Sequence, residues 1–407
     1  LMSTILRDTE RRAIIRRRAQ APEPVKKVKV AIVIESTIGG TREHLRQIAR
    51  RIHLNRFDVT VFCSRMRDST FMKDVEKMRR WGLKVELLPM QRKIHPLQDL
   101  FSFFELCRQF GKQGFDVVHT HSAKAGMIGR LAASVSGTNH VFHTPHTFPF
   151  QSSQCTGFRA WFYKFLEQFA GLYTEKLILL TDAQRQLVLD CRLVNDSRTL
   201  VLTNGLSLRT SEEVHASALS RSELDLDEDK LVVGCVGRLA PQKGHDFLLQ
   251  AAEKICKARD DVLFALVGDG ELRKELEVDV ERKGLEGCVR FLGHREDARD
   301  LYTAFDVLAM SSLYEGLPYA ILEAIDASCP VVTFDLPGFE ELVINGQTGL
   351  TAMPGNADQL AEKIQLLLDD GELRSELAKS ARQHVEKNFS ADQFIEQLEA
   401  LYEGKLS

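Results

Sequence analysis

Twice along this chain, short apolar runs alternate with helix-forming stretches, and that repeated alternation limits what it can fold into. The first series runs from Val28–Ile34 through DVTVFCS, LKVELLP, DVVHTH, HVFHTPH and LILLT, with helical stretches such as Leu97 to Phe110 and Gly126 to Ser134 between them. The second starts at Leu231 and continues through VLFALVG, VRFLG, VLAMS and PVVTF. Such runs read as buried strands, and strands separated by helices form a parallel sheet wrapped on both sides. At 407 residues the chain is too long for one ordinary core. The expected fold class is α/β, with two doubly wound, Rossmann-like domains facing each other across a cleft.

The expected divisions are a basic tail at 1–25, a first sheet domain at 26–205, a second at 206–390, and a terminal helix at 391–407. The divide falls where SLRTSEEVHASALSRSELDLDED turns polar and acidic, with little apolar surface to bury. The DLD at 225–227 precedes a strand on this linker, whereas carboxylates that hold a nucleotide's metal follow one.

Composition excludes several classes. With 44% hydrophobic and 27% charged residues and a net charge of −3, the chain has neither a disordered nor a polyanion-binding profile, so nucleic acid is not an expected partner. Eight cysteines are scattered without CxxC spacing, several inside apolar runs, and read as reduced thiols of a cytoplasmic protein. No stretch has the roughly 18 uninterrupted apolar residues of a membrane-spanning helix, nor does the N-terminus carry an apolar signal core. Two readings of the basic tail stand open. One is a solvated extension diluted by Asp8, Glu10 and Glu23; the other is a peripheral contact with the inner face of a membrane, joined by the RKIH at Arg92 to His95.

The densest chemistry lies between Ser311 and Leu350. There Glu315 and Glu323 flank a Gly316-Leu317-Pro318 turn that opens a helix. Pro318 at a first helical position places the start near Leu317, and free amides there form an anion site. Glu323 then lies about one and a half turns further on, roughly 7–8 Å along the axis, so the two carboxylates are not a pair. As ionised acceptors for hydroxyls they need cations nearby to balance a diphosphate. Arg238, which can fork two oxygens, and Lys243, a point charge, follow the strand at Leu231 to Val236. Such a site suits a sugar carried on a diphosphate.

The blocks VGRLAPQKG, LVGDGELRKELE, VRFLGHREDARDLYTAFDVLAMSSLYEGLPYAILEA and PGFEELVINGQTGL resemble the successive motifs of family 4 retaining glycosyltransferases of the GT-B fold. HTHSAKAGMIGRLAA followed by HTPHTFPF resembles the subgroup acting in surface-polysaccharide assembly. The resemblance implies a hexosyltransferase that moves a sugar from a nucleoside diphosphate, UDP before GDP, to a hydroxyl of a glycan or lipid-linked acceptor. Retention of anomeric configuration is implied as well, with no metal or other cofactor. It makes 26–205 the acceptor side and 206–390 the nucleotide-sugar side, with the last helix packing back across the first domain.

Under this reading His121, Arg238, Lys243 and Glu315 are the catalytic candidates. Gly39, Gly40, Gly293, Gly316, Leu317 and Glu323 join Arg238, Lys243 and Glu315 in holding the donor, with Glu323 on the ribose. His119 and His121 share one strand face, the first expected in the core and the second at the cleft. His140, His143 and His146 alternate faces with no carboxylate or cysteine to complete a metal tetrahedron, and His146 is expected to border the acceptor side. Phe158, Phe162, Phe165 and Phe169 share a helical face with Trp161 adjoining, a core stripe by default or else a surface for a lipid-linked acceptor. Asp335, Glu340 and Glu341 follow a further strand without an evident role. Where the family has a glycine-containing turn this chain has Ala327-Ser328-Cys329, tolerable unless φ must be positive. The rival readings are a nicotinamide-dependent oxidoreductase, disfavoured because no GxGxxG follows the first strand, and a non-catalytic sugar-nucleotide-binding scaffold.

Overall fold

The computed structural model describes residues 26–66, 70–91, 93–152 and 154–406, so the basic tail and Arg92 lie outside the described residues. Seven parallel strands form the first sheet: β1 (Val28–Ile34), β2 (Phe57–Ser64), β3 (Lys84–Leu88), β4 (Val117–His121), β5 (His140–Thr144), β6 (Lys176–Leu179) and β7 (Thr199–Val201). Six helices connect them: α1 (Gly39–Arg51), α2 (Phe71–Arg80), α3 (Pro96–Gln113), α4 (Ala123–Val135), α5 (Gly157–Gly171) and α6 (Asp182–Asp190). A short α7 (Ser211–Ser217) lies in the acidic linker.

The second sheet has six parallel strands: β8 (Leu231–Val236), β9 (Val262–Val267), β10 (Val289–Gly293), β11 (Val307–Met310), β12 (Val331–Phe334) and β13 (Leu350–Ala352). Its helices are α8 (His245–Ala258), α9 (Arg273–Lys283), α10 (Ala298–Leu301), α11 (Tyr319–Asp326), α12 (Ala357–Asp369) and α13 (Gly371–Asn388); α14 (Ala391–Tyr402) follows. Edge strands β7 and β13, three residues each, are absent from the sequence expectations.

The strand orders explain where ligands can go. They are β3-β2-β1-β4-β5-β6-β7 and β10-β9-β8-β11-β12-β13, so the direction in which successive strands are added reverses between β1 and β4 and again between β8 and β11. At such a switch point the loops leaving neighbouring strands diverge and open a crevice beyond their carboxyl ends. Gly39-Gly40 follow β1, His121 ends β4, Arg238 and Lys243 follow β8, and Glu315 follows β11. Gly293 instead ends the edge strand β10, two places from β8.

The chain crosses between the sheets twice, and the crossings lie side by side: Leu206 N donates to Phe389 O at 2.9 Å. After the second crossing, α14 buries Phe394, Ile395, Leu398, Leu401 and Tyr402 in the core of the first sheet. Each such side chain contributes about 1.5–3 kcal/mol when fully buried. His53 Nδ1 and Arg56 Nη1 reach the Glu399 carboxylate at 2.9 and 2.8 Å from the other side. The eight cysteines are all free thiols. No helix among the described residues is long and apolar enough to cross a membrane.

One stripe expected in the core is not there. α3, α4 and α5 lie side by side on the same face of the first sheet, and α5 leaves Phe158, Trp161, Phe162, Phe165 and Phe169 exposed, Phe158 by 75%. Only Glu167, Ala170 and Gly171 of α5 are buried, so the helix seats itself through small residues and one ion pair, Arg130 to Glu167 at 2.8 Å.

Candidate functional site

On the second sheet, the loops leaving β8 and β11 press together. Lys243 Nζ pairs with Glu315 Oε1, Ser312 Oγ donates to the same oxygen at 2.9 Å, and Gln242 Nε2 donates to Oε2 at 3.1 Å. The sequence reading treated Lys243 and Glu315 as separate agents; the structure makes them an ion pair, so Glu315 holds the lysine in place. Gln242 and Ser312 went unremarked, although each adjoins a residue that was singled out. Among the described residues Arg238 approaches Glu271, at 4.0 Å, and keeps a third of its side chain exposed.

The helix after the Gly-Leu-Pro turn starts later than expected. Pro318 is its N-cap in an extended conformation, φ −78° and ψ 117°, and α11 begins at Tyr319. Its first amides still face the crevice, and those of α1 approach from the other sheet: a Cβ on Gly40 would lie 3.6 Å from the Tyr319 ring. Gly39, at φ 53°, opens α1. Two helix N-termini thus converge on one space, each carrying partial positive charge.

Glu323 sits in the second turn of α11 and accepts from Tyr302 Oη at 3.2 Å. Burial, reinforced by the negative charge of Glu43 across the crevice and relieved in part by Arg299, pushes its carboxyl up to about 7. It therefore holds its proton to a higher pH than the ionised carboxylate expected from sequence.

The first sheet presents histidines instead of charges. His119 is buried, as expected, with Nδ1 2.7 Å from Tyr402 Oη and Nε2 2.9 Å from Thr144 Oγ1. His121 does not open onto the cleft: it is fully buried, its ring packed against His119, His44 and His146. The trio considered from sequence is not gathered, since His140 turns outward to Glu175 and His143 to Thr120. His146 does meet His121, Nε2 to Nδ1 at 3.3 Å, and both lie against His44 of α1. His44 Nδ1 is 2.6 Å from Asn204 Oδ1 at the first crossing. Burial drives all these rings towards the neutral form, His44 to about 4 and His119, His121, His143 and His146 well below the ordinary value. His146 adopts φ 61°, a left-handed conformation that costs a non-glycine residue about 1–3 kcal/mol.

The halves meet at Gly316, where a Cβ would come within 2.4 Å of His146 O. Gln184 Nε2 donates to that same carbonyl at 2.9 Å. Glu341 accepts from Asp182 N at 2.9 Å, capping α6 from the opposite domain, and burial raises its pKa. This contact gives Glu341 a place that its sequence position did not reveal.

Two family profiles match. One, described as Glycosyl transferase 4-like domain, covers residues 39–205, and the other, Glycosyl transferases group 1, covers 217–384. Among curated relatives, the UDP-Gal:alpha-D-GlcNAc-diphosphoundecaprenol alpha-1,3-galactosyltransferase of Escherichia coli is 29% identical over 381 residues, 92% of this chain and 97% of that protein. The N,N'-diacetylbacillosaminyl-diphospho-undecaprenol alpha-1,3-N-acetylgalactosaminyltransferase of Campylobacter jejuni is 26% identical over 79% of this chain and 86% of its own length. The fold superposes on the crystal structure of Anabaena Alr3699/HepE in complex with UDP and glucose with a TM-score of 0.77. That match covers 93% of this chain and all of the other, at 22% identity.

Proposed function

We propose a reaction for this chain from the premise that it belongs to the family 4 glycosyltransferases of the GT-B fold and is an enzyme. It moves a sugar, with retention, from a UDP-sugar to a hydroxyl of a lipid-linked glycan. The observation that carries this reading is the Lys243–Glu315 pair lying beside two converging helix N-termini, at the facing switch points of both sheets.

As the glycosidic C–O bond breaks, negative charge grows on the departing diphosphate, and stabilising it is the main catalytic task. Arg238, Lys243 and the amides around Gly316 and Leu317 take up that charge, without a divalent ion at the diphosphate. Phosphate oxygens displace Glu315 from Lys243, which frees the carboxylate to accept from donor-sugar hydroxyls. Glu323 accepts from the ribose in its ionised form, so nucleotide binding draws a proton off it. Gly39 and Gly40 line the opposite wall, and His121 lies buried behind it. A UDP-sugar donor is supported by the relative named for UDP-Gal and the fold neighbour solved with UDP. The same relatives are named for diphosphoundecaprenol-linked substrates.

A lipid-linked acceptor also accounts for the bare faces of α3 and α5. Leu97, Leu100, Phe101 and Phe104 of α3 and Phe158, Trp161 and Phe165 of α5 are exposed, Leu97 by 77%, with Lys93 and Arg159 exposed near the helix starts. Apolar side chains rimmed by cations suit a bilayer surface, where the enzyme meets such an acceptor.

Incubation with a panel of nucleotide sugars, with and without a polyprenyl-diphosphate glycan, tests the reading through UDP release. Acceptor-dependent release from a UDP-sugar is expected. Binding without turnover points to the scaffold alternative, and full turnover in Lys243→Ala overturns the assigned chemistry.

A further inference from the structure

Three imidazoles from distant parts of the chain meet beneath the crevice, and their spacing is that of ligands to one ion. His44 comes from α1, His121 from the end of β4 and His146 from the loop after β5; each has a ring nitrogen within 4.8 Å of the others'. Around a tetrahedral zinc with Zn–N bonds of about 2.0–2.1 Å, two ligating nitrogens stand about 3.3–3.4 Å apart. The ring centroids, a further ångström or so out, then stand about 5 Å apart. The His121 Nδ1 to His146 Nε2 distance is 3.3 Å, and the three centroid separations are 5.2, 4.8 and 5.5 Å.

The hydrogen bonds leave the right lone pairs over. Asn204 Oδ1 is an acceptor, so the proton of His44 resides on Nδ1 and its Nε2 carries a lone pair. That Nε2 is buried with no hydrogen-bond partner among the described residues. Donation from the remote ring nitrogen to an oxygen is how metal-bound histidines are oriented. A direct bond between His121 Nδ1 and His146 Nε2 would be long at 3.3 Å, so it satisfies neither ring nitrogen well. Leaving a buried polar atom unmade costs about 1–3 kcal/mol, and His146 in addition keeps its left-handed backbone. His119 stacks on His121 but has spent both nitrogens on Tyr402 and Thr144, so it is not a ligand.

We propose that His44, His121 and His146 form a binding site for one first-row divalent metal ion, zinc for preference, with its fourth coordination position open to an oxygen ligand. Three neutral imidazoles leave the ion's double charge uncompensated, so an anionic oxygen, hydroxide or phosphoryl, suits that position best. The carbonyl of His146 faces Gly316, which places the site against the crevice wall opposite the Lys243–Glu315 pair. In this arrangement His121 positions the ion and is not free to exchange protons. The site is separate from the diphosphate chemistry proposed above and stands or falls without it.

The test uses full-length protein prepared without a polyhistidine tag. Elemental analysis should find close to one equivalent of zinc per chain. After chelation, cobalt(II) should restore one equivalent with the intense visible absorption of a tetrahedral site, and zinc should raise the Tm of the stripped protein. His44→Gln and His146→Gln should each lose the cobalt bands and weaken zinc binding at least tenfold, while His140→Gln, altering an exposed ring paired with Glu175, should keep both. Wild-type protein that holds no zinc, shows no cobalt bands and gains no Tm from zinc overturns the proposal, whatever the variants do. Bands that persist in His44→Gln/His146→Gln also overturn it.

Discussion

The two sheets approach their shared crevice with opposite chemistry. The second brings charge: Arg238, Lys243, Glu315 and Glu323, all within the loops that leave the strands or the first two turns of the helix that follows. The first brings buried neutral rings, His44, His121 and His146, where His44 meets Asn204 and His121 meets His146. Under the proposed reaction, the diffuse charge of the phosphates falls to the fixed cations and dipoles of the second wall.

The largest effect belongs to the charged wall. Lys243→Ala should lower turnover about 100- to 1,000-fold, the usual loss when one group stabilising developing negative charge is removed. Far-UV circular dichroism and Tm should stay near those of the parent, because Lys243 is partly exposed and Glu315 retains Ser312 and Gln242. An unchanged rate would mean that the charge is handled elsewhere and that the contrast between the walls has no catalytic meaning.

Next comes the seam between them. Gly316→Ala places a methyl 2.4 Å from His146 O, a backbone atom that cannot swing aside. Forcing in such a group typically costs about 1–3 kcal/mol, so donor affinity should fall about 10- to 100-fold if closure of this seam accompanies binding. UDP titration calorimetry reads it directly.

The charged wall was readable in the sequence because its parts are local. Arg238 and Lys243 adjoin glycine turns within one strand–loop–helix unit, and Glu315 repeats the pattern in another, so each carried its own context. His44 was not readable. It lies on an amphipathic helix among Arg42, Glu43 and Arg46, and its partners come from elements folded beside it only by the β1–β4 switch. His121 was expected at the cleft because alternation along a strand assigns a face but not what covers it; His146 and His44 are the cover. β7 and β13 escaped because three residues hold no period, and the α5 stripe misled because periodicity reports an apolar face, not what it packs against.

The walls should also answer pH with opposite signs. Glu323 is raised from 4.5 to about 7, so between those values the folded state binds more protons than the unfolded one, and stability falls as pH rises through the window. His44 is lowered from 6.5 to about 4, so the folded state binds fewer protons there, and stability is lost as pH falls through that range. Glu323→Gln removes the first slope only. Relative to the parent it should gain on the order of 1–3 kcal/mol between pH 5 and pH 8, with the acid side unchanged. Urea midpoints across pH check both limbs, and parallel curves would show that Glu323 ionises freely.

Left-handed backbone occurs in both halves. Ser328, in the turn where the family has glycine, adopts φ 57° on the surface, with no side-chain hydrogen bond among the described residues to account for it. Ser328→Gly should therefore stabilise by about 0.5–1 kcal/mol, with turnover unaltered. His146 carries the same kind of backbone, and His146→Gly relieves it equally while deleting a ring of the buried cluster. If both variants gain stability and keep activity, the strain at His146 serves nothing.

The smallest effect should come from the one exposed ion pair seen bridging the walls among the described residues, Lys73 to Glu296 at 2.8 Å. Both side chains are about half exposed, so water and salt screen their attraction, and holding two long chains in one geometry offsets much of what remains. Several other contacts that join the domains involve backbone: Gly316 against His146 O, Asp182 N on Glu341, Leu206 N on Phe389 O. Lys73→Ala should accordingly leave Tm and UDP affinity unmoved within error at physiological salt. A clear loss that vanishes at high salt would place charge across the seam after all, and the neutral wall would have to be redrawn to include α2.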